Sequence, residues 1–212
     1  MANVVDPYYL EQGSIDWLQS RVGRATASRF SDVMASIRSG EAASRKNYRA
    51  ELVVERLTGQ PVESYKSPAM EWGNEYEPVA RLKYELTTGN NVDECGLFLH
   101  NSIMAGASPD GLVNDDGLLE IKCPNTATHI ETLRKQEVPR QYYWQVMGQL
   151  WITGRKWCDF VSYDPRLSQN AQYFCTRVLR DEDAISDLED NIVMFLRSVD
   201  EEVAFIENYK GV

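Results

Sequence analysis

The sequence has few of the residues that usually hold transition metals. Its histidines are His100 and His129, its cysteines are Cys95, Cys123, Cys158 and Cys175, and no two cysteines form a CxxC pair. That spread argues against a zinc knuckle or an iron–sulfur cluster and fits reduced thiols. Long apolar runs are missing too. No stretch approaches the roughly 20 residues of a bilayer span, and the opening MANVVDPYYLEQ has no basic start of the signal-peptide kind. Repeats, low-complexity tracts and Pro/Ser-rich linkers are also absent. Together these absences set the expectation of a cytoplasmic protein, with no membrane partner, folded as one domain over residues 1–212.

Charge is plentiful and unevenly placed. The net charge is −10 over 212 residues. Residues 181–207 carry almost all of that excess, with Arg197 their only base. Residues 20–60 are basic through Arg21, Arg24, Arg29, Arg38, Arg45, Lys46, Arg49 and Arg56. An acidic total therefore does not exclude a DNA enzyme whose site holds divalent cations.

Hydrophobic periodicity and breakers divide the chain. Helical signals run near 14–22, 27–36, 44–58 (stopped by Gly59 and Pro61) and 68–88 (between Pro68 and Gly89). Residues 92–123 read as an antiparallel meander of short strands. Helices at 125–136 and 139–153 follow, the second with Tyr143, Val146, Met147, Leu150 and Trp151 on one stripe. Strands near 157–163 and 171–179 lead to a closing amphipathic helix. The order predicts an α/β domain around a mixed sheet.

The chemistry concentrates in SPDGLVNDDGLLEIKCP, residues 108–124. Glu120 and Lys122 stand two apart on one expected strand, so they share a face. A hairpin with NDDG at its tip brings Asp110 alongside Glu120. Two carboxylates and the Ile121 carbonyl form a hard oxygen set of the kind Mg²⁺ or Mn²⁺ prefers. A lysine beside them can orient or help deprotonate a metal-bound water. This combination suits phosphodiester hydrolysis. Cys123 and the two histidines read as packed or ordinary polar groups, and most of the tryptophans as core.

Asp110 followed by Glu120-Ile121-Lys122 matches the PD-(D/E)xK nuclease motif. Around it stand WLQSRVGRATAS (17–28), WGNEYEPVAR (72–81), SPDG (108–111), LEIKCP (119–124), QYYWQVMGQLWIT (141–153) and YDPR (163–166). In order and spacing these blocks resemble the bacteriophage lambda exonuclease and YqaJ-type viral recombinase family. The resemblance implies a restriction-endonuclease-like core, with a mixed central sheet flanked by helices and a helical N-terminal part. It implies a metal-dependent 5′→3′ exonuclease on double-stranded DNA that leaves a 3′ overhang. By the same resemblance, Glu77 joins Asp110, Glu120 and the Ile121 carbonyl as a ligand to Mg²⁺ or Mn²⁺, two ions per site. Lys122 and Gln145 complete the catalytic set, with Tyr142 read as its support or as a buried core tyrosine and Gln149 as a core or solvent-side polar group. Arg21, Ser28 and Ser108 match a 5′-phosphate pocket. Arg38 and Arg45 fall in a region expected to contact DNA, and Met70 stands at the position of an apolar wedge, its alternative being a core methionine. The implied partners are DNA ends, two further copies in a homotrimeric ring and a phage-type single-strand annealing protein. In such a ring the acidic C-terminal helix would face outward and the basic N-terminal third would line the channel. The location would be a bacterial host's cytoplasm. Other readings of the same residues are a structure-specific endonuclease and a catalytically silent DNA-end-binding recombination scaffold.

Overall fold

The computed structural model describes residues 6–62 and 67–211. The expectation about a leader rests partly on residues 1–5, which lie outside them. Helix α1 (Ile15–Arg21) begins where the Ser14 hydroxyl accepts the Trp17 N–H. Strand β1 (Ala25–Thr26), a 3₁₀ turn and the short α2 (Phe30–Val33) follow. Helix α3 (Ala43–Thr58) stops at Gly59, whose φ of 66° is left-handed. Helix α4 (Pro68–Thr88) starts at the Ser67 cap and ends in the same way at Gly89.

The next strands are β2 (Val92–Asp93), β3 (Phe98–Leu99), β4 (Ala105–Ala107), β5 (Gly111–Val113) and β6 (Gly117–Lys122). Helices α5 (Thr126–Lys135) and α6 (Arg140–Thr153) cross over to β7 (Trp157–Tyr163). Strand β8 (Tyr173–Leu179) and helix α7 (Glu182–Glu207) complete the chain. The larger sheet has the order β2-β5-β6-β7-β8, antiparallel except for the parallel β6–β7 pair. That pair requires the long crossover that α5 and α6 supply.

Two expectations need correction. Residues 92–123 do not form one meander, because β3 and β4 leave it and join β1 in a second sheet of order β1-β4-β3. The cause lies near the N-terminus: the carbonyls of Tyr8 and Pro7 accept the N–H groups of Gly96 and Leu97, drawing the chain away after β2. The helix expected over 27–36 is a 3₁₀ turn at Ala27–Arg29 followed by α2, and the residues just before it, 25–26, pair parallel to β4.

Alternation along β6 decides what faces what. Leu118 packs with Cys158, Phe160 and the α6 residues Val146, Met147 and Leu150. Leu119 and Ile121 pack on the other face with Ala80 and Tyr84 of α4. Glu120 and Lys122 therefore point towards α6. Gly148 brings that helix close, since a Cβ there would lie 2.3 Å from the Phe30 ring. Among the described residues no helix is long and apolar enough to cross a membrane.

Candidate active site

Glu120 is completely buried, so each of its oxygens needs a donor. Lys122 Nζ lies 2.5 Å from Oε1. The Gln145 amide donates to the same oxygen at 2.6 Å, and the Gln149 amide donates to Oε2 at 2.6 Å. Asp110 comes alongside as the hairpin expectation requires: β5 and β6 pair with Gly111 opposite Leu119, and Asp110 Oδ2 accepts the Ile121 N–H at 2.6 Å. The Ile121 carbonyl faces the same edge of β6 as that N–H. Glu77 projects from α4 and accepts from Arg81 at 2.9 Å. Lys122 Nζ lies 5.2 Å from the centre of the Tyr142 ring, which itself stacks on Phe160.

Burial and neighbouring charge raise two of the acids. Burial, then the charges of Glu120 and Glu77, push the Asp110 carboxyl well above its ordinary range. Burial also raises Glu77, with Glu120 adding to it and Arg81 opposing. Burial alone would lower the Lys122 ammonium, but Glu120 and Asp110 outweigh it and raise it. In this arrangement Lys122 serves as a donor to Glu120. Burial pushes the Cys123 thiol up to about 12, away from the thiolate form.

A second cluster adjoins the first. The Arg21 guanidinium lies 4.1 Å from the Trp17 ring and reaches the hydroxyls of Thr26 and Ser28 at 3.3 and 3.4 Å. Trp17 Nε1 donates to the Ser108 hydroxyl at 3.1 Å. Arg21, Ser28 and Ser108 are thus brought together, with Trp17 and Thr26 as members that sequence reasoning missed. Burial lowers the Arg21 pKa, and among the described residues no carboxylate forms an ion pair with it. Pro109, between Ser108 and Asp110, has its carbonyl held by Gln12 Nε2 at 2.9 Å and by the Cys95 thiol.

The remaining expectations fare differently. Arg38 is exposed on the loop before α3. Arg45 is engaged within the chain: it donates to the Val33 carbonyl, pairs with Glu41 at 3.5 Å and lies over Phe195. Met70 is 50% exposed on the first turn of α4, so it is not a core residue. The basic third and the acidic helix do not separate: Arg49 pairs with Glu202 at 3.2 Å and Arg56 with Asp200, so α3 and α7 partly neutralise each other. His129 is buried between the Ser162 hydroxyl and the Ala171 carbonyl, a structural role.

Comparison with known proteins gives a consistent answer. Residues 16–156 match the model of the YqaJ-like viral recombinase domain. The chain belongs to this family. An alkaline exonuclease from Laribacter hongkongensis, LHK-Exo, is 47% identical over 92% of this chain and 96% of its own; its complex with dAMP superposes with a TM-score of 0.86. A phage-related exonuclease from Haemophilus somnus shares the fold at 13% identity, with a TM-score of 0.71 over 86% of this chain and 96% of its own. An uncharacterized protein of Acanthamoeba polyphaga mimivirus, R354, is 28% identical over 71% of this chain, which spans only 29% of that relative. These matches support a nuclease role and the mixed α/β core expected of a YqaJ-like chain.

The donor chemistry of this YqaJ-like chain fits a divalent cation. Asp110, Glu120, Glu77 and the Ile121 carbonyl are all hard oxygen donors, and burial together with neighbouring carboxylate charge raises Asp110 and Glu77, a cost that a cation would relieve. The side chains do not stand as a ready-made cage, however. Among the described residues no three His, Cys, Asp or Glu side chains converge as a metal-ligand group, and Glu120 is engaged by Lys122 and the two glutamines.

Proposed function

We propose that this chain is a divalent-metal-dependent 5′→3′ exonuclease on double-stranded DNA, built as one nuclease domain over residues 1–212. It hydrolyses the 5′-phosphorylated strand to mononucleotides and leaves a 3′ overhang for strand annealing. One observation carries the proposal. Ser108 of the arginine cluster stands two residues before Asp110 of the carboxylate centre, a separation of at most about 7 Å along the chain. A pocket for a terminal phosphate beside a hydrolytic centre is the layout an end-dependent enzyme needs, and an enzyme cutting within a strand has no use for it. That LHK-Exo binds dAMP supports a mononucleotide as the product here.

Each residue has a chemical task. Arg21 supplies guanidinium donors to the 5′-phosphate, and the Ser28 and Ser108 hydroxyls donate to its remaining oxygens. Asp110, Glu120, Glu77 and the Ile121 carbonyl would hold Mg²⁺ or Mn²⁺, with two ions proposed per site. When bound, the cation supplies stabilisation of charge on the attacking and leaving oxygens. Lys122, held charged by its neighbours, orients the water and offsets negative charge at the scissile phosphate. Gln145 fixes Glu120 and lies close to the scissile end. A homotrimeric ring around the duplex and transfer of the overhang to a phage-type single-strand annealing protein complete the proposal. Because α3 and α7 pair, the exposed cations left to face DNA from this region are Arg38 and Lys46.

The test is digestion of linear duplex DNA carrying a 5′-phosphate on one strand only, with Mg²⁺ or EDTA, by wild type and Lys122→Ala. Metal-dependent loss of the phosphorylated strand, abolished by the substitution, is expected; closed circles should survive. Cutting of circles would turn the reading to an endonuclease, and inactive wild type to a scaffold.

A further inference from the structure

Glu120 divides its two oxygens unequally. Oε1 has donors from Lys122, which is 25% exposed, and from Gln145, which is 9% exposed. Oε2 has a single side-chain donor, Gln149, from a residue with no accessible surface at all. The orientation of the Gln149 amide is fixed, because a carboxylate only accepts and the NH₂ must face it. Gln149 Oε1 is consequently buried without a partner. An unpartnered buried amide oxygen is unfavourable, and a leucine or methionine would avoid it on a helix whose neighbouring positions are apolar. The hold on Glu120 is what offsets that cost. Gln145 and Gln149 lie one turn apart on α6, so one helix serves both oxygens. Gly148, between them, seats that helix against Phe30.

We infer that Gln149 is a positioning residue: its donor holds Oε2 from the buried side and so fixes the orientation of the Glu120 carboxylate that a bound cation would meet. This rests on the proposed role of Glu120 as a metal ligand. Without the Gln149 donor the carboxylate is free to turn about its terminal bond, and its two oxygens are no longer held in one orientation.

The experiment is calorimetric titration of Mn²⁺ into the DNA-free full chain, comparing wild type, Gln149→Met, Gln149→Asn and Glu120→Gln. Methionine keeps the volume and removes the donor; asparagine keeps an amide that is one methylene too short. Each protein is read below its own melting temperature, so that only folded molecules are counted. The expected result is a loss of Mn²⁺ affinity of about 10- to 100-fold for both Gln149 variants, the range for groups that orient a ligand, with binding abolished in Glu120→Gln. If Glu120→Gln loses binding while the Gln149 variants keep wild-type affinity and only melt lower, Gln149 is a packing residue and the inference fails alone. If Glu120→Gln binds as wild type does, the ligand reading fails and the inference falls with it.

Discussion

Arg21 offers the sharpest test of end recognition. Its hydrogen bonds to Thr26 and Ser28 are long, 3.3 and 3.4 Å, and its main partner is the Trp17 face. Replacing Arg21 with alanine therefore breaks no ion pair and sacrifices a partly desolvated cation–π contact worth about 1–2 kcal/mol. Folding stability should fall modestly. Recognition should change more, because a hydrogen bond to a charged group contributes about 1.5–3 kcal/mol. At about 1.4 kcal/mol per decade this is roughly a 10- to 150-fold loss in kcat/KM on 5′-phosphorylated ends. Ends carrying a 5′-hydroxyl never use the contact, so their slower digestion should be unaffected. The assay compares the two ends on one duplex sequence for wild type, Arg21→Ala and Arg21→Lys. The lysine variant should fall between them, since it keeps charge but loses the planar fork. An equal loss on both ends, or an undiminished preference for phosphate in Arg21→Ala, would refute the assignment.

Lys122→Ala should lower turnover on phosphorylated duplex by about 10²–10³-fold with end binding preserved, as measured by single-turnover digestion beside fluorescence anisotropy. The carboxylate centre predicts a stability effect of definite sign. Asp110 and Glu77 are raised in the folded state, so between their ordinary range near pH 4 and the raised values the native protein binds more protons than the unfolded chain. The metal-free protein should thus lose stability as pH rises through that window and keep the deficit at neutral pH. Asp110→Asn retains an acceptor for the Ile121 N–H and removes the charge; it should raise the metal-free Tm by about 2–4 °C for each ~1 kcal/mol relieved while abolishing cleavage, and a lowered Tm would contradict the account. Arg38→Glu should weaken DNA binding and reduce the slope of log K against log salt by about 1, whereas Arg45→Ala should leave that slope unchanged and lower stability.

Much of this molecule is legible in local patterns. Gly59 and Gly89 end their helices because the left-handed cap needs them, and the alternation Leu118, Glu120, Lys122 is enough to put carboxylate and lysine on one face. What escaped depends on neighbours distant in sequence. The stripe Tyr143, Val146, Met147, Leu150, Trp151 marks one buried face of α6, yet the helix also buries Gln145, Gly148 and Gln149, so periodicity leaves Gln149 ambiguous. Its i, i+4 spacing from Gln145 was the only available signal. Strand β1 is two residues long and exists through its pairing with β4, which no local propensity encodes. The basic run 20–60 suggested a free cationic surface; only the packing of α3 on α7 shows that Arg49 and Arg56 already have partners.

The hold of Gln12 on the Pro109 carbonyl carries a practical lesson for anyone re-engineering the chain. Gln12 lies in a stretch with little regular structure, the sort that is routinely trimmed for crystallisation or replaced by a purification tag. Yet it braces the one residue that joins the arginine cluster to the carboxylates. Cutting back through position 12 would leave the catalytic groups intact in sequence while loosening the spacer between them. Such a shortened protein would resemble a gauge with one screw removed: complete in its parts, and no longer able to hold its setting.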